Sequence, residues 1–125
     1  GEGCRVWDEE GKEYLDFVGG IAVCVLGHSS PIVSRALEEQ SRILVHVSNL
    51  YYTRPQTELA QLLVEHSFAD RVFFCNSGAE ANEAAIKLAR RYSNEKFGPQ
   101  RHVIISMFNS FHGRTMATLS APQRS

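Results

Sequence analysis

Cysteine is scarce in this 125-residue sequence: Cys4, Cys24 and Cys75 form no C-x-x-C pair, and an odd number argues against both a disulfide framework and a zinc site. Buried thiols in a reducing compartment are the expectation. Long hydrophobic runs are missing too. The longest weakly polar stretch, Phe17 to Gly27, contains three glycines and is too short to cross a bilayer. The charged, strand-like segment before it is unlike a signal peptide, so no membrane partner is expected and the cytoplasm is the default compartment. Nor is charge of one sign concentrated. The formal net charge is −1, and the 13 Lys plus Arg are spread along the chain with no basic stripe between aromatics, so no nucleic-acid partner is expected. The five histidines, at 28, 46, 66, 102 and 112, never take H-E-x-x-H or a related ligand spacing, so metal ligands are expected to be none. There is no G-x-x-x-x-G-K-[ST], no G-x-G-x-x-G after a strand and no G-x-S-x-G elbow, which removes the common nucleotide and serine-hydrolase signatures. The 43% hydrophobic content that remains is that of an ordinary globular chain.

The stretch "CNSGAEANEAAIKLARRY", residues 75 to 92, is the most informative. Val72 to Cys75 is short and apolar and stops at the turn formers Asn76-Ser77-Gly78, which predicts a buried strand. Ala81, Ala84, Ala85, Leu88, Ala89 and Tyr92 then recur at the spacing of one helical face. Ser77 followed by Glu80 fits a capping box, with the Ser77 hydroxyl accepting from the third helical N–H and Glu80 reaching back to the Ser77 backbone. Gly78 and Ala79 become the first helical residues. Their N–H groups lack intrahelical partners, lie at the positive end of the helix dipole and carry almost no side chain, which suits a phosphate. A cap that binds nothing explains the turn equally well at this point.

The rest of the chain predicts an α/β protein. Cys4 to Asp8 and Glu13 to Phe17, around Glu9-Glu10-Gly11-Lys12, read as a β-hairpin. Ser30 and Pro31 start a helix whose face carries Val33, Ala36, Leu37, Gln40 and Leu44, and Thr53-Arg54-Pro55-Gln56 starts another that buries Leu59, Leu62 and Leu63. A second apolar strand is predicted at Val103 to Ser106. Strand, helix and strand within about 35 residues make a right-handed βαβ unit with a parallel sheet, whose ligand edge lies at the strand C-terminal ends. The loop after Cys75 and the loop "MFNSFHGRT", residues 107 to 115, both lie on that edge. The second brings an aromatic ring, an imidazole and a guanidinium, from Phe111, His112 and Arg114, beside Gly113. Singly each has a duller explanation, in core packing, solvation or surface charge. Both chain ends read as cut, since Gly1 replaces an initiator methionine and the chain stops at Ala121 to Ser125 just after an apolar stretch.

Four motifs, "GGIAVCVLGHSSP", "HVSNLYYTRPQTELA", "FFCNSGAEANEAAIKLARRY" and "NSFHGRTMATLSA", occur in the order seen in the class III aminotransferases, pyridoxal-phosphate enzymes of fold type I, which the chain resembles over essentially all its length. It departs at Ser29-Ser30, where the relatives more often carry Cys-His or Ser-His before the proline. The resemblance implies an incomplete fold type I α/β architecture. Residues 1–50 would be the N-terminal hairpin and helix of the small-domain region, and 51–125 the first part of the cofactor-binding large domain. It implies pyridoxal 5'-phosphate as cofactor, with Ser77, Gly78 and Ala79 on the phosphate and Phe111 stacked on the ring. Arg114 would pair with a substrate carboxylate, and Tyr51 or Tyr52 would line the substrate pocket. The implied reaction moves the terminal amino group of N-acetylornithine to a keto acid acceptor such as 2-oxoglutarate, in arginine biosynthesis. The alternatives are ornithine, succinyl-diaminopimelate or 4-aminobutyrate as small-molecule amino donor, or a non-catalytic phosphate-binding module. A homodimer is the implied assembly.

The family's Schiff-base lysine lies downstream of these motifs, so no catalytic residue is expected here. The chain holds only Lys12, Lys87 and Lys96. Lys87 stands off the apolar stripe, roughly 13 Å along the helix axis from Gly78, while Lys12 falls in the hairpin turn and Lys96 in a charged loop. The 125 residues alone are therefore expected to be inactive and, with sheet edges uncovered, poorly soluble.

Overall fold

Asp8 makes the turn between the first two strands. Its Oδ1 accepts the N–H groups of Glu10 and Lys12 at 3.0 and 2.9 Å, and its Oδ2 accepts the Tyr14 hydroxyl at 2.9 Å. The Lys12 amide, with the Tyr14 hydroxyl next, holds the Asp8 carboxyl below the usual carboxylate range. The turn joins β1 (Arg5–Trp7) to β2 (Glu13–Leu15) in antiparallel register, Val6 opposite Tyr14, with Arg5 paired to Glu13 at one end. The strands are shorter than their sequence pattern predicts, and a single backbone hydrogen bond extends the pairing at each end, from Asp16 N–H to the Cys4 carbonyl at 2.8 Å and from Asp8 N–H to the Lys12 carbonyl at 3.1 Å.

This structure is a computed structural model that describes residues 1–121; the closing segment, 122–125, lies outside the described residues. It divides into two units, Gly1–Arg54 and Pro55–Ser125.

In the first unit, Asp16 fastens the glycine-rich segment that follows the hairpin. Its Oδ1 accepts the N–H groups of Val18 and Gly19, and its Oδ2 lies 2.6 Å from His28 Nε2. The Gly19 amide and then His28 lower the Asp16 carboxyl pKa. Helix α1 (Pro31–Ser41) starts as expected at Ser30 and Pro31, but Ser30 makes no side-chain cap, so the fixed φ of Pro31 starts it. Leu44, expected on its face, lies beyond its end.

The second unit holds α2 (Arg54–Glu65) from Pro55 onward, α3 (Gly78–Phe97) and α4 (Met116–Ser120). Small and straight-chain residues with high helix propensity fill α3. It runs five residues past Tyr92, supported by an Arg91–Glu95 pair at 2.8 Å and an edge contact of Tyr92 with Phe97 at 6.3 Å, and it stops at Gly98, where φ is 85°. Lys96, expected in a loop, sits in the last turn, where a cation suits the helix dipole.

The two predicted strands are not formed among the described residues: 71–75 and 101–107 have no ladder partner, and the only sheet is β1–β2. A strand is defined by its neighbour, and a crossover that joins two strands does not make them adjacent. The same absence of covering layers appears in the packing. No apolar side chain is buried among the described residues, and Leu59, Leu62 and Leu63, expected inside, are exposed. All three cysteines, expected buried, are exposed as well. The accessible surface is 11463 Å². The two buried positions among the described residues, Gly113 and Thr118, both belong to the candidate site.

Candidate active site

Ser77 begins the site. Its backbone is extended, with φ −154° and ψ 162°, and its hydroxyl accepts the Glu80 N–H at 3.2 Å, which starts α3 at Gly78. The reciprocal half of the predicted capping box differs by one residue. Glu80 Oε2 accepts from the Asn76 N–H at 2.6 Å rather than from Ser77, because the extended Ser77 places the preceding amide nearer the carboxylate. No group among the described residues accepts from the N–H groups of Gly78 and Ala79. A side chain at Gly78 would enter open space, so the approach to both amides is clear.

The second wall of the site is the segment from Phe111 to Thr115. Gly113 presses against the first turn of α3 with φ +123°, where a Cβ would lie 2.6 Å from Ala79 Cβ and 3.0 Å from Thr118 Oγ1. Only glycine fits there. Asn82 Nδ2 donates to the His112 carbonyl at 2.8 Å. Glu83 Oε1 accepts both the Thr115 hydroxyl at 2.6 Å and the Ala117 N–H at 3.0 Å. The Thr115 hydroxyl, then the Ala117 amide and the Lys87 charge hold the Glu83 carboxyl below its ordinary pKa. Thr115 in turn caps α4 reciprocally with Thr118. The Ser110 hydroxyl donates to the Met107 carbonyl at 2.6 Å, which leaves its oxygen to accept from His112 Nε2 at 2.8 Å.

Between these walls lies a cleft of about 440 Å³ lined by Gly78, Ala79, Asn82, Phe111, Gly113 and Arg114, among others. Phe111 is 66% exposed toward solvent and the Arg114 guanidinium sits 5.2 Å from its ring centroid. Two amide donors at a positive helix end can take an anion, an aromatic face can take a flat ring, and a guanidinium can take a carboxylate.

The family model for Aminotransferase class-III matches residues 1–125. The chain belongs to that family. Among class III relatives, an acetylornithine aminotransferase of Nostoc sp. is 60% identical over 121 residues, which are 97% of this chain and 28% of that protein. One of Pseudomonas putida is 59% identical over 120 residues, 96% of this chain and 30% of the relative. The solved N-acetylornithine aminotransferase of Stenotrophomonas maltophilia matches with a TM-score of 0.83 at 50% identity, over 90% of this chain and 32% of that one. The ornithine aminotransferase of Toxoplasma gondii, described with partial occupancy of PLP at its active site, matches with a TM-score of 0.92 at 32% identity, over 99% and 30%. The chain thus spans about three tenths of the length of these class III proteins, as a partial α/β piece of the fold type I architecture they share.

Of the class III site residues that the sequence singles out, the structure brings Gly78, Ala79, Phe111 and Arg114 to one cleft, with Ser77 capping the helix behind them. Tyr51 and Tyr52 belong to the first unit, where they are 68% and 98% exposed. Lys87 is exposed on α3 near Glu83. The sequence reading passed over Asn82, Glu83 and Thr115. A signal existed: Ala79, Asn82, Glu83 and Ile86 share one helix face, and a polar pair in that row needs partners.

Proposed function

We propose that this chain is the N-terminal part of a class III aminotransferase that moves the terminal amino group of N-acetylornithine to 2-oxoglutarate, in arginine biosynthesis, with pyridoxal 5'-phosphate as cofactor. The observation that carries the reading is the meeting of the Gly78 and Ala79 amides, the Phe111 ring and the Arg114 guanidinium on one cleft. The residues fit the cofactor: the two amides are unpartnered among the described residues, Gly78 leaves space in front of them, and Phe111 offers an exposed aromatic face.

When bound, the cofactor supplies an electron sink for the carbon next to the transferred nitrogen. The chain's own residues orient. Gly78 and Ala79 would hold the phosphate through N–H donors at the helix start, and the Ser77 hydroxyl, by capping that helix, fixes where they point. Phe111 would cover one ring face. Arg114, whose guanidinium matches a carboxylate in two parallel hydrogen bonds, would leave Phe111 to hold a substrate carboxylate. Tyr51 or Tyr52 would line the substrate pocket of the assembled protein. None of Lys12, Lys87 and Lys96 is read as the cofactor's lysine, so residues 1–125 alone would not turn over. Residues 1–50 are read as small-domain and 51–125 as large-domain sequence. A cytoplasmic homodimer is carried over from the family.

The test is amino-donor preference in the full-length protein. With 2-oxoglutarate as acceptor, kcat/KM for N-acetylornithine should exceed that for ornithine, succinyl-diaminopimelate and 4-aminobutyrate by at least about tenfold. A preference for one of those three replaces the substrate assignment, and cofactor binding without turnover replaces the enzyme by a phosphate-binding module.

A further inference from the structure

Among the described residues, no buried apolar side chain secures the wall that carries Phe111 and Arg114. Residues 101–107 ahead of it have no sheet partner, both side chains are exposed, and α4 behind it has five residues. Yet Gly113 and Thr118 are the two buried positions of the described chain, so the wall is seated closely on α3. Polar bonds from two adjacent residues of α3 hold it there. Asn82 takes the His112 carbonyl, one residue before Gly113, and Glu83 takes the Thr115 hydroxyl and the Ala117 amide, just after Arg114. The two attachments bracket Gly113 and Arg114, while the amides of Gly78 and Ala79 lie one turn earlier on the same helix.

We propose that Asn82 and Glu83 are positioning residues of the active site: they lock the 112–117 segment to the helix that would bind the cofactor phosphate, and so set the separation between Arg114 and the Gly78–Ala79 amides. This rests on the reading of the cleft given above. Its physical content is that a substrate carboxylate and a cofactor phosphate are held in one rigid frame built on α3. Placement errors near 1 Å at such a site cost about a hundredfold in rate or binding. Glu83 acts as an acceptor, a role that an amide oxygen keeps and that a protonated carboxyl, the weaker acceptor, largely gives up. Both bonds fall on the same oxygen, Oε1, and an amide oxygen can accept both. Glutamine should therefore replace glutamate here, and alanine should not.

The experiment uses the full-length protein as wild type, Glu83→Ala, Glu83→Gln and, as a control at the exposed far end of the same helix, Glu95→Gln. Two quantities are read: hydrogen exchange of the backbone amides in 112–117 of the cofactor-free protein, and kcat and KM for 2-oxoglutarate in the loaded enzyme. Glu83→Ala should exchange at least about tenfold faster over 112–117 and raise KM about tenfold, with kcat changed less than about threefold. Glu83→Gln should restore both, and Glu95→Gln should move neither. Unchanged exchange in Glu83→Ala overturns the proposal. So does faster exchange with an unmoved KM, which would make Glu83 a cap for α4 alone, and so does a Glu83→Gln as impaired as the alanine variant. Exchange is read without cofactor. If the wild type neither binds pyridoxal 5'-phosphate nor turns over, the proposed function fails, while exchange still decides whether Glu83 holds the segment.

Discussion

Two glycines on the cleft stand in opposite surroundings. A Cβ at Gly113 would overlap Ala79 at 2.6 Å, with φ at +123°, whereas one at Gly78 would meet nothing within 4 Å. Gly113→Ala should therefore destabilise the full-length protein by about 1–3 kcal/mol and loosen cofactor binding with it, read from a thermal melt and a cofactor titration. An unmoved melt would show that the loop is not seated on Ala79. Gly78→Ala should fold as well as wild type and weaken cofactor binding alone, because what it obstructs is the space before the amides and not the packing. Glu83 sets the acid response of the same wall. Its pKa is depressed in the folded chain by the Thr115 hydroxyl and Ala117 amide, so its contribution is fully present above the ordinary glutamate range and is lost as pH falls through the lower folded value. Exchange protection of the Ala117 amide should stay flat from about pH 8 to about pH 5, after correction for intrinsic rates, and fall only below that. Loss of protection within that plateau would contradict the assignment.

Helix α3 is the element most legible in sequence, and its two surprises have physical causes. The alanine-rich stripe and the Ser77 cap are local signals, and both are realised. The stripe ends at Tyr92 while the helix continues to Phe97, because helix propensity and the Arg91–Glu95 pair extend it until Gly98 supplies a stop. The strands at 72–75 and 103–106 were legible as compositions and not as pairings. Hydrogen bonding between strands depends on neighbours that a local pattern does not name. Helix α4 went unpredicted because five residues cannot display a period, and the Thr115–Thr118 cap that makes it resembles ordinary loop sequence. Asn82 and Glu83 escaped for a related reason. Their partners lie about thirty residues away, two of the three being backbone groups with no residue signature. At this scale Ser77→Ala should cost about 1 kcal/mol of α3 stability and be felt in the cofactor titration, since the cap aims the Gly78 and Ala79 amides. A variant with unchanged stability would show that Glu80 and Asn76 suffice to start the helix.

At the scale of the whole molecule, the described residues leave their apolar faces exposed. An accessible surface of 11463 Å² with no apolar side chain buried among the described residues cannot offset the conformational entropy of ordering the chain. The segment alone should melt broadly and without a cooperative transition, read by calorimetry, whereas the full-length protein should melt sharply. A sharp melt of residues 1–125 would mean that packing unlike that described here stabilises them. On the function proposed above, the cleft between α3 and the 111–115 segment would be the place where phosphate, ring and carboxylate are read together. One comparison tests that most directly: the affinity ratio of pyridoxal 5'-phosphate to pyridoxal in full-length wild type and in Gly78→Pro. Proline is tolerated at the first helical position and the extended Ser77 before it suits a following proline, so the substitution removes an N–H donor while keeping the helix. Loss of a hydrogen bond to a charged group, about 1.5–3 kcal/mol, should shrink the ratio by roughly 10- to 150-fold through weaker binding of the phosphorylated form. An unchanged ratio would contradict the assignment of the α3 start as the phosphate site.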